Sequence, residues 1–145
     1  MATYSEFTVP TEGENFYNIA PMVDEALEAY FQQNPASATS GVLYLFCTHT
    51  SCGLTINEGF DPSAIDDMKK FLMHLAKRDL PFICHDVEGP DDSPSHMKSL
   101  LLQSSLMFIV ENKKIVHGTW QGIFLAEFRD APKKRKILVK FLADR

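Results

Sequence analysis

The sequence predicts a single α+β domain spanning residues 1–145, with about three helices set against an antiparallel strand core. Three observations carry this. Apolar residues recur at three- and four-residue spacing in separate helical segments, the last third of the chain is almost all strand-like, and 145 residues is one domain's length. The composition, 45% apolar and 23% charged, is that of an ordinary globular protein. A chain of this size buries about two thirds of its unfolded surface and needs no covalent staple to fold.

In chain order, Thr3 to Val9 reads as a first strand and Thr11 to Asn15 as a turn. A helix follows from about Pro21 to Gln33, with Pro in its first turn and Met22, Val23, Ala26, Leu27, Tyr30 and Phe31 on one face. Asn34 to Ser40 is a polar loop. Val42 to Phe46 is an unbroken β-prone run, which predicts a central strand buried on both faces. Leu54 to Asn57 is a short strand. Asp61-Pro62 reads as cap and first residue of a second helix, whose stripe is Ile65, Met68, Phe71, Leu72 and Leu75. After a polar loop, His85 to Pro94, a third short helix starts near Ser93-Pro94 and ends near Leu102. Leu106 to Val110 is a strand, Glu111 to Lys113 a turn, and Ile115-Val116 the start of another strand. Gly122 to Phe128 and Arg135 to Leu142 read as a hairpin that sets Glu127 opposite Arg135, a pair tolerable in a core only when matched.

The charge balance, 14 basic against 19 acidic residues, argues against a nucleic-acid partner. No apolar run reaches the roughly 18 residues a membrane span needs, and the N-terminal residues lack a basic-then-apolar signal pattern. Three cysteines, Cys47, Cys52 and Cys84, are an odd and sparse set that suggests reduced thiols and a cytoplasmic location.

The unusual segment is His85 to His96, with two imidazoles and four carboxylates among Gly and Pro residues that bend the chain. A bent loop can bring two histidines to one ion, and neutral imidazole suits zinc and other borderline divalent ions. Its carboxylates can orient imidazoles or bind magnesium. The plainer alternative is a solvated acidic turn. His49, between threonines after a buried strand, would supply a third imidazole and leave one coordination position open; alone, it would be a hydrogen-bonded core histidine. Ser51 or Cys52 beside His49 is a weaker, nucleophilic reading, since no nucleophile elbow or CxxC spacing is present. Asn57, Glu58 and Asp61 form either a capping cluster or the lip of an anionic pocket. Gly118-Thr119-Trp120-Gln121-Gly122 allows close backbone approach, with Trp120 either core or a stacking wall for a flat ligand. Lys133 to Lys136 reads as a solvated strand edge before a phosphate site.

Together, His49-Thr50-Ser51 through Leu54-Thr55-Ile56-Asn57-Glu58, His85-Asp86-Val87-Glu88-Gly89 with Asp91-Asp92, Ser95 to Ser99, and Gly118 to Ile123 with Glu127 resemble the YjbQ-type family, also called secondary thiamine-phosphate synthase enzymes. The resemblance runs from about Ser5 to Leu142. It implies a β-sandwich-like α+β fold, a homotrimer, and a divalent metal, zinc or magnesium, on His49, His85 and His96. It implies a weak joining of a hydroxymethylpyrimidine diphosphate to a thiazole phosphate. The chain departs from the family pattern at Lys113, where a turn usually has Gly, at Cys52, where a small residue such as Ala is usual, at Cys84, and over Arg129 to Lys133.

The expectation is therefore a metal-binding enzyme acting on a small phosphorylated substrate. Glu88, Asp91 and Asp92 would orient the imidazoles or act as general base. Ser51, Asn57, Glu58, Trp120, Gln121 and Glu127 would position ligand. A metal-dependent phosphoester hydrolase, a non-catalytic metal or metabolite binder, and a thiol enzyme using Cys52 or Cys84 are the rival expectations.

Overall fold

The structure, a computed structural model, describes residues 3–145. Its elements are β1 (Ser5–Glu12), β2 (Asn15–Asn18), α1 (Ala20–Gln33), β3 (Gly41–Cys47), β4 (Cys52–Glu58), α2 (Pro62–Leu75), α3 (Asp92–Leu101), β5 (Ser105–Glu111), β6 (Lys114–Ile115), β7 (Gln121–Glu127) and β8 (Pro132–Ala143). The strands make two sheets, ordered β1-β8-β3-β5-β6 and β2-β7-β4, and every pairing is antiparallel. The α+β reading and the three helices are as expected.

The predicted hairpin of the last two long strands does not form. β7 pairs with β2 and β4, whereas β8 pairs with β1 and β3, so the turn at Asp130 to Pro132 carries the chain from one sheet to the other. Glu127 and Arg135 do meet, but across the interior rather than side by side in a ladder. The β1–β2 turn crosses between the sheets at the same corner. It is only Gly13-Glu14, because Thr11 and Glu12 extend β1 and Asn15 opens β2. Gly13 sits at φ +96°, a conformation costly to any residue with a Cβ.

Between the sheets lie Val9, Leu43, Leu45, Phe108, Val110, Ile137 and Val139 from one and Leu54, Ile123 and Leu125 from the other, joined by Val23, Leu27 and Phe31 of α1. On the outer side of the smaller sheet, Leu72 of α2 packs with Ala126, Phe128, Phe16 and Leu102. The strand buried on both faces is therefore β7, not β3. In β3 burial alternates, and Tyr44 and Phe46 stand exposed because no helix covers that face of the larger sheet. The α2 stripe is likewise only partly used: Leu72 is buried, while Phe71 and Leu75 are exposed.

Local chemistry sets the helix starts. Asp61 caps α2, its Oδ1 accepting from the amide and hydroxyl of Ser63 at 2.9 and 2.8 Å, with Pro62 behind it. Asn18 Oδ1 accepts the Ala20 amide at 3.0 Å, which starts α1 one residue before Pro21. Close backbone approach occurs at Gly122, with Gly59 as its neighbour and not Gly118: a Cβ on Gly59 would lie 2.7 Å from the Gly122 Cα.

The β5–β6 turn uses Asn112 and Lys113, both left-handed at φ +51° and +66°. Lysine pays a steric cost there that glycine does not. Lys113→Gly is expected to stabilise the fold by about 0.5–1 kcal/mol, read as a rise in the urea midpoint with an unchanged slope.

Candidate functional site

α3 begins where the acidic loop ends, so Asp92 and His96 fall one helical turn apart on one face. His85, at the start of the loop, folds back onto them. Its Nε2 lies 2.9 Å from Asp92 Oδ2, and His96 Nε2 lies 3.3 Å from Asp92 Oδ1. The two imidazole centroids are 5.3 Å apart. One donor atom from each of His85, Asp92 and His96 falls within 4.8 Å of the others, the only such group among the described residues.

The hydrogen bonds fix the chemistry of this cluster. His96 Nδ1 lies 2.7 Å from the Thr50 carbonyl oxygen, which can only accept, so Nδ1 carries the proton. A neutral His96 then presents a bare lone pair at Nε2, and that lone pair faces the buried Asp92 carboxylate. Two acceptors in this arrangement call for a cation between them, either a proton or a metal ion.

Arg129 braces the cluster from the other side. Its Nη1 donates to Asp92 Oδ1 at 2.7 Å, its Nε to Asp91 Oδ2 at 3.0 Å, and its Nη2 to the Glu88 carbonyl at 2.9 Å. Asp91 Oδ2 also accepts the Asp130 amide at 2.8 Å. Burial alone would raise the Asp91 carboxyl, but the Asp130 amide and the Arg129 guanidinium hold it below the usual carboxylate range. Asp91 is thereby a brace rather than a free base, and the Glu88 side chain is largely exposed. Asp91 and Asp92 share one guanidinium, which leaves a net negative charge beside two imidazoles.

His49 does not join this group. Its Nε2 accepts the Lys136 amide at 2.8 Å, so the lone pair that would ligate is already engaged. Burial and the nearby Arg135 guanidinium hold this imidazole below its ordinary value, as an accepting neutral ring requires. The carboxylate of Asp92 stands in the cluster where a third imidazole was expected.

Glu127 and Ser51, expected to position ligand, are interior groups. Glu127 is fully buried; its Oε1 accepts from Thr11 Oγ1 at 2.6 Å and Arg135 Nε at 2.7 Å. Its Oε2 accepts from Arg135 Nη2 at 2.5 Å and from the Phe128 and Arg129 amides at 3.0 and 3.1 Å. Ser51 Oγ accepts from Arg135 Nη2 at 2.8 Å. Burial opposes ionisation of Glu127, yet Arg135, Thr11 and the Arg129 amide hold its carboxyl below the ordinary range.

The remaining expected ligand residues sit elsewhere. Asn57, Glu58, Trp120 and Gln121 lie at the opposite end of β4 and β7, and seven-residue strands put those ends about 20 Å apart. Trp120 is exposed and packs edge-to-face on Phe60, with ring centroids 4.9 Å apart. Gln121 Oε1 accepts the Gly118 amide at 2.7 Å and closes its own turn. Asn57 Oδ1 accepts the Glu58 amide, and Glu58 Oε2 accepts the amides of Phe60 and Asp61, so both act as local caps.

Sequence reasoning missed Arg129 and the Thr50 carbonyl. Arg129 stood out only as part of an altered turn, and a backbone carbonyl leaves no mark on a residue pattern.

The fold and the cluster define a class, a two-sheet α+β sandwich with a His–Asp–His group at one corner. The chain belongs to the UPF0047 YjbQ-like family, whose model matches residues 5–144. It is 36% identical over 132 residues to a UPF0047 protein of Methanocaldococcus jannaschii, covering 91% of this chain and 88% of the relative. It is 43% identical over 98 residues to the UPF0047 protein YjbQ of Escherichia coli O157:H7, covering 68% and 70%. Among solved structures, a conserved hypothetical protein of Thermus thermophilus superposes with a TM-score of 0.81 at 39% identity, covering 95% of this chain and 99% of that one. An uncharacterised YjbQ/UPF0047 protein of Clostridium acetobutylicum gives 0.81 at 33% identity with the same coverage. No helix among the described residues is long and apolar enough to cross a membrane.

Arg135→Met is expected to destabilise the protein by about 3–5 kcal/mol, because Glu127 is left buried and uncompensated. The double variant Glu127→Leu/Arg135→Met is expected to lose less than that single variant, as urea titrations of both will measure. The depressed Glu127 and Asp91 carboxyls also predict acid lability. Their contribution is complete above the ordinary values of 4.5 and 3.8 and is lost as pH falls through the lower folded-state values. The thermal midpoint should therefore drop as pH falls below about 4.5, and less steeply in Glu127→Leu/Arg135→Met.

Proposed function

We propose that the chain binds a divalent metal ion on His85, Asp92 and His96 and acts there on a small phosphorylated substrate. The observation that carries this reading is His96 Nε2 lying 3.3 Å from the buried Asp92 carboxylate, with His85 Nε2 2.9 Å from the same group. The donor set fits a borderline ion. Two imidazoles and one carboxylate suit zinc and leave a fourth position open, whereas magnesium prefers oxygen donors and retained waters. When bound, such an ion would supply charge neutralisation at phosphoryl oxygens. The chain's own residues contribute orientation. Thr50 fixes the His96 tautomer, and Arg129 holds Asp92 in place from behind.

The reaction favoured by the family resemblance is the joining of a hydroxymethylpyrimidine diphosphate to a thiazole phosphate, with phosphoester hydrolysis as the alternative chemistry of the same site. The same reading includes a reducing cytoplasmic setting, in keeping with three free cysteines. It also includes a homotrimer. Tyr44, Phe46, Met107, Ile109 and Leu142 stand exposed on the uncovered face of the larger sheet, with Met107 paired directly to Tyr44. This makes an apolar patch of the kind that marks an interaction surface.

Elemental analysis and zinc titration test the core of the proposal. One zinc per chain is expected, with Asp92→Ala and His96→Ala each weakening binding at least 100-fold and His49→Ala leaving it within a few-fold. Turnover of the two thiamine precursors, and of a generic phosphomonoester, should fall in parallel with zinc occupancy. Equal zinc affinity in His96→Ala and wild type would overturn the assignment.

A further inference from the structure

Two thiols meet in the interior where β3 hands over to β4. Cys47 is the last residue of β3 and Cys52 the first of β4; they are 2% and 1% exposed, and their sulfurs are 3.5 Å apart. Each cysteine is anchored in a different sheet, Cys47 beside Ile137 of β8 and Cys52 beside Glu127 of β7. Only Thr48, His49, Thr50 and Ser51 connect them. The metal-site reading gives these thiols no role.

We propose that Cys47 and Cys52 are a reversible dithiol–disulfide pair whose oxidation by a hydroperoxide releases the β3–β4 connector from His96. The chemistry closes without further reactants. One thiol sulfur attacks the peroxide, the O–O bond breaks, and a sulfenic acid forms with release of water from hydrogen peroxide, or of the corresponding alcohol from an organic hydroperoxide. The second sulfur attacks the sulfenic sulfur, the S–S bond forms, and water leaves. Two thiols lose two electrons and two protons in total, and an external dithiol returns them. Burial favours this course once the first sulfur is oxidised. The partner sulfur is already in contact, whereas thiols of other molecules are excluded. The connector next to both sulfurs is at the surface, with Thr48 and Thr50 exposed.

The consequence for the connector follows from four contacts. The Cys47 Sγ donates to the His49 carbonyl at 3.9 Å, and a disulfide has no proton to donate. Bond formation also draws the sulfurs from 3.5 Å to about 2.05 Å, between residues held by two different sheets. The four-residue connector is the part of this loop outside both ladders, and its Thr50 carbonyl is the group that keeps the His96 proton on Nδ1. Ser99 Oγ donates to the Cys52 carbonyl at 2.9 Å, which ties the same thiol pair to α3.

The test uses the full chain carrying Cys84→Ser, which removes the exposed third thiol. After treatment with hydrogen peroxide, intact mass should fall by about 2 Da and recover with dithiothreitol. In addition, the 15N imidazole spectrum of His96, assigned by His96→Gln, should lose its Nδ1–H tautomer in the oxidised form only. Cys52→Ala, a small apolar replacement at a buried position, should show neither change and accumulate oxygen adducts on Cys47 instead. No mass loss while Cys47 takes up oxygen would overturn the pair. A disulfide that leaves the His96 tautomer unchanged would overturn its link to the site. Both readouts are made without metal, so their failure is distinct from failure of zinc binding.

Discussion

The buried ion pair of Glu127 and Arg135 is the constraint on which the other contacts depend. It joins β7 of one sheet to β8 of the other, and both groups are buried. Two charges taken out of water are tolerable only if their remaining hydrogen-bonding capacity is filled. Here it is filled by the chain that builds the site. On one side, Glu127 takes the backbone amides of Phe128 and Arg129, which fixes where the Arg129 side chain starts. On the other, Arg135 donates to the hydroxyl oxygen of Ser51, which fixes the connector that carries Thr50. Arg129 then holds Asp92, and Thr50 holds His96. No buried side-chain nitrogen or oxygen among the described residues is left without a partner.

A second group of charges surrounds this one. Lys98, on α3 two residues past His96, is buried and donates to Glu14 at 2.7 Å. Arg78 grips Asp130 with both guanidinium arms at 2.7 Å, and this contact holds the Asp130 carboxyl below its usual range. Glu14 and Asp130 belong to two of the turns that cross between the sheets, β1–β2 and β7–β8. The corner where these two turns lie is thus a corner where charges concentrate, and α3 is pinned to it. A rigid frame of this kind is what a small cluster of ligating groups needs, since misplacement by an ångström costs much of a site's function.

The family gives this corner its context. The residues that carry the family resemblance fall into two sets, one at each end of β4 and β7. The histidine loop, Asp92 and Glu127 lie at one end, and Asn57, Glu58, Trp120 and Gln121 at the other. Within one chain, the second set makes caps and turns and does not touch the first.

Much of the fold was legible in the sequence. Helical spacing marked α1 and α2, and Asp61-Pro62 marked the start of α2; Glu127 and Arg135 were expected to meet through a hairpin register, and they meet although that hairpin is absent. The acidic loop announced its own chemistry, because two imidazoles and four carboxylates in twelve residues is a local property. What a sequence pattern cannot carry is which sheet a strand joins. β7 and β8 read as a hairpin because neighbours in sequence usually pair, yet the interior buried between two sheets favoured an arch. The apolar run of β3 and the alternation its burial shows differ for the same reason, since the sequence specifies a strand's residues and the tertiary fold decides what covers each face. The cluster at the site obeys this rule too. His85 and His96 were candidates by type and spacing, but the third member of the cluster was chosen by packing. The Lys136 amide occupied His49, the turn of α3 brought Asp92 beneath both rings, and a guanidinium from the β7–β8 turn held it there.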